Sequence, residues 1–139
     1  LSIIDYLEDA FPDPPLWGTT PVERALARQL ERIVDLNLLS GIGRFVHATN
    51  SPIGLKPDPA AAEAARGMIN RGLDYLEGQL ADGREFLIGD RLTPADCTLA
   101  AGLQFMRFAE HDLISGHPNV VAWDARYRAR PAAKAVLRR

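Results

Sequence analysis

The stretch REFLIGDRLTPADCTLAAGLQFMRFA, from Arg84 to Ala109, decides the fold. It opens as a loop turning on Gly89-Asp90 and continues as a helix whose start is marked several times over. Thr93 is the N-cap, because its hydroxyl can accept from an early backbone N–H that has no partner inside the helix. Pro94 takes the first helical position, where a missing N–H costs nothing and a fixed φ helps. Asp96, three residues past the cap, reaches back to the Thr93 N–H and sits at the favourable end of the helix dipole. Leu92 and Cys97 occupy the two hydrophobic-staple positions. From Cys97 to Ala109 the residues are apolar almost all round, which predicts a helix running through the middle of a core. Gly102 inside it costs about 1 kcal/mol against Ala, so another backbone is expected close by. Leu92, Thr93, Asp96 and Cys97 read as structure rather than chemistry.

The same signature occurs at Thr20-Pro21-Val22-Glu23. The helix it starts is predicted to run to about Ala48, with Leu26, Leu30, Ile33, Val34, Leu38, Ile42 and Phe45 apolar. Arg24, Arg28 and Arg32 form an i, i+4 row on it, and Gly41 and Gly43 predict a bend or a close neighbour. Asp58-Pro59 caps a further helix, ended by Asp82-Gly83, whose buried stripe is Met68 or Ile69, Leu73, Leu76 and Leu80. Beyond the central helix, Ser115 to Pro118 is a turn. Val120, Trp123 and Tyr127 mark a short helix that Pro131 cuts at Arg130, and Ala132 to Arg139 makes a last helical piece. At the other end, Ile3, Ile4, Leu7 and Phe11 recur at helical spacing until Phe11-Pro12 stops them. Pro14 to Gly18 is an extended linker that Leu16 and Trp17 tack onto a domain surface. No alternating strand pattern and no repeat is found, so the chain reads as all-α.

A length of 139 residues suits one domain that buries roughly two thirds of its unfolded surface. The formal net charge of −2 gives no reason to expect a nucleic-acid or membrane partner. Arg126, Arg128, Arg130, Arg138 and Arg139 cluster near the end and read as a solvated helix face. A single cysteine excludes an internal disulfide and suits a reducing compartment. At its staple position Cys97 is expected to be buried rather than reactive. No run is long enough to span a bilayer, and no signal peptide is visible. The chain begins Leu1-Ser2-Ile3-Ile4, without Met and already in a helical pattern, and so reads as part of a longer protein.

Self-sufficient chemistry is not found. His47, His111 and His117 have no partners at metal-ligand spacing, so no metal site is expected. Ser40-Gly41 lacks the frame of a nucleophile elbow. Gly41-Ile42-Gly43 has Val46 where a dinucleotide loop needs a third glycine, and it lies within a helix.

Four features together resemble the cytosolic glutathione transferase family. SIIDYLEDAFP (2–12) resembles the last helix of that family's N-terminal thioredoxin-like domain. FLIGDRLTPAD (86–96) is similar to the F-x-x-G-D-x-x-T-x-A-D signature with its capping box and staple. HPNVVAW (117–123) and RARPAAKAVL (128–137) follow in the family's order. RFVHAT (44–49), before a loop containing Pro and Gly, resembles a theta-related microbial branch.

The resemblance implies an all-α, C-terminal-type bundle of about five to six helices around a buried central helix. Residues 1–11 would be the tail of the thioredoxin-like domain, 12–19 a linker and 20–139 the helical domain. It implies attack of a glutathione thiolate on a small hydrophobic electrophile. A thiol with a pKa of about 8.5 needs activation, and in the family the activating residue lies upstream, so no catalytic residue carries over. This domain would supply an apolar pocket beside the sulfur. By family analogy that pocket draws on Asn37, Ser40, Gly41 and Arg44 of the first long helix and on Phe105 and Phe108 of the central one. Ser40 or Asn37 would hydrogen-bond a substrate or water, Arg44 would attract a carboxylate, and the two phenylalanines would form an aromatic wall. The resemblance also implies a cytoplasmic homodimer, with Arg24, Arg28 and Arg32 near the two-fold. A glutathione-dependent isomerase or dehalogenase, and a non-catalytic docking module, stay open on the same frame.

Overall fold

The computed structural model describes residues 1–137, so Arg138 and Arg139 lie outside the described residues. The elements are α1 (Ser2–Ala10), α2 (Pro21–Ile33), a π-helical turn (Val34–Leu39), α3 (Ser40–Thr49), α4 (Pro59–Gln79), α5 (Pro94–Phe108), α6 (Pro118–Ala129) and α7 (Pro131–Val136). Because α2, the π turn and α3 are continuous, they form one long rod ending at Thr49. No strand forms among the described residues. Two single bridges, Phe86 with Gly89 and Ile88 with Arg91, close the loop before α5, and Gly89 takes the left-handed φ of 72° that this turn requires. The chain is an all-α bundle.

Both marked helix starts form. Thr20 Oγ1 accepts from the Glu23 N–H at 3.2 Å, while Glu23 Oε2 accepts from the Thr20 N–H at 3.1 Å. Thr93 and Asp96 also make a capping box, with Asp96 Oδ2 accepting the Thr93 N–H at 3.0 Å and the Thr93 hydroxyl at 2.9 Å. The other oxygen of Asp96 accepts from Leu87 N at 2.8 Å and from Trp123 Nε1 at 3.2 Å. One fully buried carboxylate thus joins the loop, the start of α5 and the middle of α6.

The core gathers Leu99, Leu103 and Met106 of α5 against Leu38 and Ile42 of the long rod, Ile69, Leu73 and Leu76 of α4, and Trp123 of α6, each at most 2% exposed. Ile69, not Met68, carries the α4 stripe. The long rod lies close to α5 at Gly102, where an added Cβ would sit 3.6 Å from the Leu39 Cα. Several expectations need correction. The central helix is not buried all round, because Cys97, Ala101 and Phe108 are exposed along one side. Cys97 is therefore a surface thiol with the Tyr127 hydroxyl 3.7 Å away, not a buried staple residue, and Leu92 is only half-buried. For Cys97 and Ala101 the physical reason is size: they count as apolar in a pattern, yet they have little surface to bury. The arginine cluster also does more than face water. Arg126 donates to the Arg84 carbonyl at 2.9 Å, and Arg130 lies over the Phe86 ring. Trp17 is fully buried while Pro12, Asp13, Pro14 and Leu16 stay exposed, so the indole alone tacks the linker onto the domain.

Candidate functional site

The long rod changes helical pitch immediately before the residues singled out for binding. A π turn is rare and commonly marks a functional position in a helix. Here Asn37, within the turn, donates its side-chain N–H to the Ile33 carbonyl at 3.0 Å, satisfying local backbone. Asn37 and Gly41 both face α4: a Cβ on Gly72 would lie 3.4 Å from the Asn37 Cβ, and one on Gly41 would lie 2.9 Å from Ile69 Cγ1. Ser40 is half-buried on a neighbouring row, and His47, seven residues on, shares its side of the helix. Gly43 lies between them with open space where a side chain would be.

From the other wall, the Phe105 ring approaches the His47 ring with centroids 6.0 Å apart. Phe105 is half-buried, whereas Phe108 is 69% exposed. Arg44 is exposed and turns instead to a cavity between α3 and α4. The six residues are therefore divided: Ser40 and the phenylalanines mark the open α3–α5 face, Asn37 and Gly41 the α4 contact, and Arg44 the cavity. His47 was not among the residues singled out for binding, although its i, i+7 spacing from Ser40 was available. Its Nδ1 lies 3.0 Å from Ser51 Oγ.

The lower end of this face is fixed by a clasp between α3 and α5. Thr49 Oγ1 lies 2.8 Å from His111 Nε2, Asn50 donates to the Ala109 carbonyl at 3.3 Å, and the His111 ring meets Phe45 edge-on. His111 is thus a structural group. At the upper end Glu31 is buried, with Thr98 donating to Oε1 at 3.3 Å and no partner on Oε2. Burial pushes its carboxyl above the ordinary value. Burial likewise pushes Asp96 up, against the four hydrogen bonds that favour its charge. Within the arginine row, Arg28 pairs with Asp5 at 3.1 Å and Arg32 with Asp35 at 2.7 Å. Among the described residues no group of three or more His, Cys, Asp or Glu is placed to hold a metal ion, and no helix is long and apolar enough to cross a membrane.

The chain as a whole is similar to several known proteins. Glutathione S-transferase 2 of Saccharomyces cerevisiae is 25% identical over 140 residues, covering 98% of this chain and 60% of that protein. FtsZ-localized protein A of Caulobacter vibrioides is 28% identical over 140 residues, covering 98% of this chain and 61% of that protein. The chain thus spans about three fifths of the length of these relatives. A crystal structure of a glutathione S-transferase domain-containing protein from Marinobacter aquaeolei superposes with a TM-score of 0.81 at 33% identity, covering 94% of this chain and 65% of that one. Residues 59–126, spanning α4, the capping-box loop, α5 and most of α6, match the model of the glutathione S-transferase C-terminal domain, and this segment belongs to that family.

Proposed function

We propose that this chain is the electrophile-binding half of a cytoplasmic, homodimeric glutathione transferase, with the thiol held and activated by a thioredoxin-like domain that α1 completes. The observation that carries this reading is the family match, together with an open α3–α5 face bearing a hydroxyl, an imidazole and aromatic rings. In this reading residues 1–11 belong to the thioredoxin-like unit, 12–19 link, and 20–139 form the helical domain. Ser40 hydrogen-bonds the electrophile, or a water beside the sulfur. Phe105 and Phe108 hold its apolar body, and Asn37, Gly41 and Arg44 shape the adjoining wall. The enzyme gains rate here by holding two reactants together, since chemical activation of the thiol lies elsewhere. The row of Arg24, Arg28 and Arg32 lies near the two-fold.

Ser40→Ala in the full-length protein is expected to lower kcat with several electrophiles by about tenfold while the KM for glutathione stays within about twofold. Unchanged turnover with all of them removes Ser40 from the site. The chain by itself is expected to conjugate nothing, and measurable conjugation by it would overturn the division of labour.

A docking role is the second reading, favoured by the similarity to FtsZ-localized protein A. Retention of the full-length protein on immobilised glutathione supports the transferase. Failure to be retained, with co-sedimentation on a purified protein polymer, supports docking.

A further inference from the structure

On the α4 side of α3 lies a cavity of about 500 Å³ that shares Arg44 and His47 with the wall assigned above and otherwise lies apart from it. Its floor is one stripe of α4, Ala61, Ala64, Ala65 and Met68, facing Ala48 of α3. Apart from Met68 the stripe is made of alanines where the two helices have passed their tight contact at Gly41 and Ile69, and the space between them is left open. Leu55, from the connecting loop, forms an apolar lip and is 53% exposed.

The cavity is built in place rather than formed by chance side-chain positions. The Asp58 N–H donates to the Ala48 carbonyl at 2.9 Å, pinning the end of the loop to α3. Asp58 Oδ1 accepts the Ala61 N–H at 3.0 Å, fixing the start of α4. Gly54 turns the loop with a φ of 74°. Pre-formed apolar pockets with a few placed polar groups are what small-molecule sites look like.

The rim is cationic. Arg44 and Lys56 border the cavity, and neither forms an ion pair among the described residues. His47 stands beside them, tied to Ser51. The one acid on the rim, Asp58, has an oxygen engaged in capping α4. Two free cations above an alanine floor suit a ligand with an anionic head and a slim apolar body; a bulky aromatic body is not required by so narrow a stripe.

We propose that this cavity binds a single-chain aliphatic carboxylate, its head between Arg44 and Lys56 and its chain along Ala48, Ala61, Ala64, Ala65 and Met68. The site is independent of glutathione, so its test stands or falls apart from the transferase reading.

Decanoate, kept below its micelle concentration, is titrated into the chain by calorimetry and by NMR of the alanine methyls. Saturable one-to-one binding is expected, with shifts centred on Ala48, Ala61, Ala64 and Ala65. Decanol and decyltrimethylammonium, which carry the same chain without the anion, are expected to bind at least about fivefold more weakly. The double variant Arg44→Gln/Lys56→Gln changes two exposed side chains and is expected to weaken decanoate by about five- to tenfold. Ala64→Leu, which fills the floor, is expected to abolish binding while the rim charges remain. Equal binding of the three probes, shifts centred on other alanines, an unaffected double variant, or no saturable binding each overturns the proposal.

Discussion

At the scale of single residues, two carboxylates are placed alike in sequence and differ in physics. Glu23 and Asp96 each stand three residues after a threonine cap with proline between. Glu23 is half-buried at the surface, and Oε2 accepts from Thr19 N at 2.7 Å, Thr19 Oγ1 at 2.9 Å and Thr20 N at 3.1 Å. Those bonds, that of the Thr19 backbone foremost, hold its carboxyl at about 2. A folded pKa below the unfolded one means that the unfolded chain takes up the proton first as pH falls. The contribution is therefore complete above the ordinary value of 4.5 and is lost as pH falls toward about 2. Glu23→Gln, with no proton to bind there, is expected to have a shallower loss of stability over that window, read from urea midpoints between pH 6 and 2.5. An acid limb as steep as that of the parent would remove Glu23 from the acid response. Asp96 is fully buried and faces four donors with its two oxygens. In Asp96→Asn the new NH₂ must confront two of those N–H or O–H groups, so a loss of about 2–4 kcal/mol is expected in urea unfolding. A change below about 1 kcal/mol would mean that the donors find other partners. The capping box was legible in the sequence because its two residues are three apart. The bonds from Leu87 and Trp123 were not, because nothing local says which distant donors will meet a buried oxygen.

At the scale of elements, glycines separate local propensity from packing. Replacing a glycine inside a helix by alanine gains about 1 kcal/mol where space allows. Gly78 of α4 has nothing within 4 Å of an added Cβ, whereas at Gly72 that atom would lie 2.8 Å from Leu38 Cγ in the long rod. Gly78→Ala is expected to stabilise the chain by about 0.5–1 kcal/mol. Gly72→Ala is expected to destabilise it by about 1–2 kcal/mol, because a fully buried Leu38 must shift against close-packed neighbours. Thermal melts of the pair decide the matter: stabilisation at both positions would show that the α4 contact yields freely. Helix starts, stops and the apolar stripe of α4 were readable from spacing alone. The π turn was not, since Val34 to Leu39 carries no unusual residue, and its pitch is set by how the rod packs on α4 and α5. That turn precedes Ser40, so the exact neighbours of the predicted binding residues were beyond a sequence argument that assumed an even 3.6-residue period.

At the scale of the whole molecule, the linker is the unexpected structural part. Trp17 is fully buried, with the Arg28 guanidinium 5.1 Å from its ring centroid. Glu8 of α1 accepts from Leu16 N at 2.9 Å and from Trp17 N at 3.2 Å, and Asp5 pairs with Arg28. One indole thereby anchors α1, which buries none of its own residues, to the bundle. Trp17→Ala is expected to cost about 3–5 kcal/mol and to free α1, read as a lower thermal midpoint together with faster amide exchange in residues 2–10. A lower midpoint with unchanged exchange there would show that the Asp5 and Glu8 contacts hold α1 without the ring.

The amino-acid sequence by itself determined that the chain is helical, where most helices start and stop, and which capping box opens α5. Those properties come from interactions within a few residues, so spacing records them. Which faces stay open was decided only in the folded molecule. Cys97 came out exposed, His47 came to lie beside Phe105, and a cavity opened over the alanines of α4. Each depends on how far apart two helices lie, and that distance is set by side chains remote in sequence.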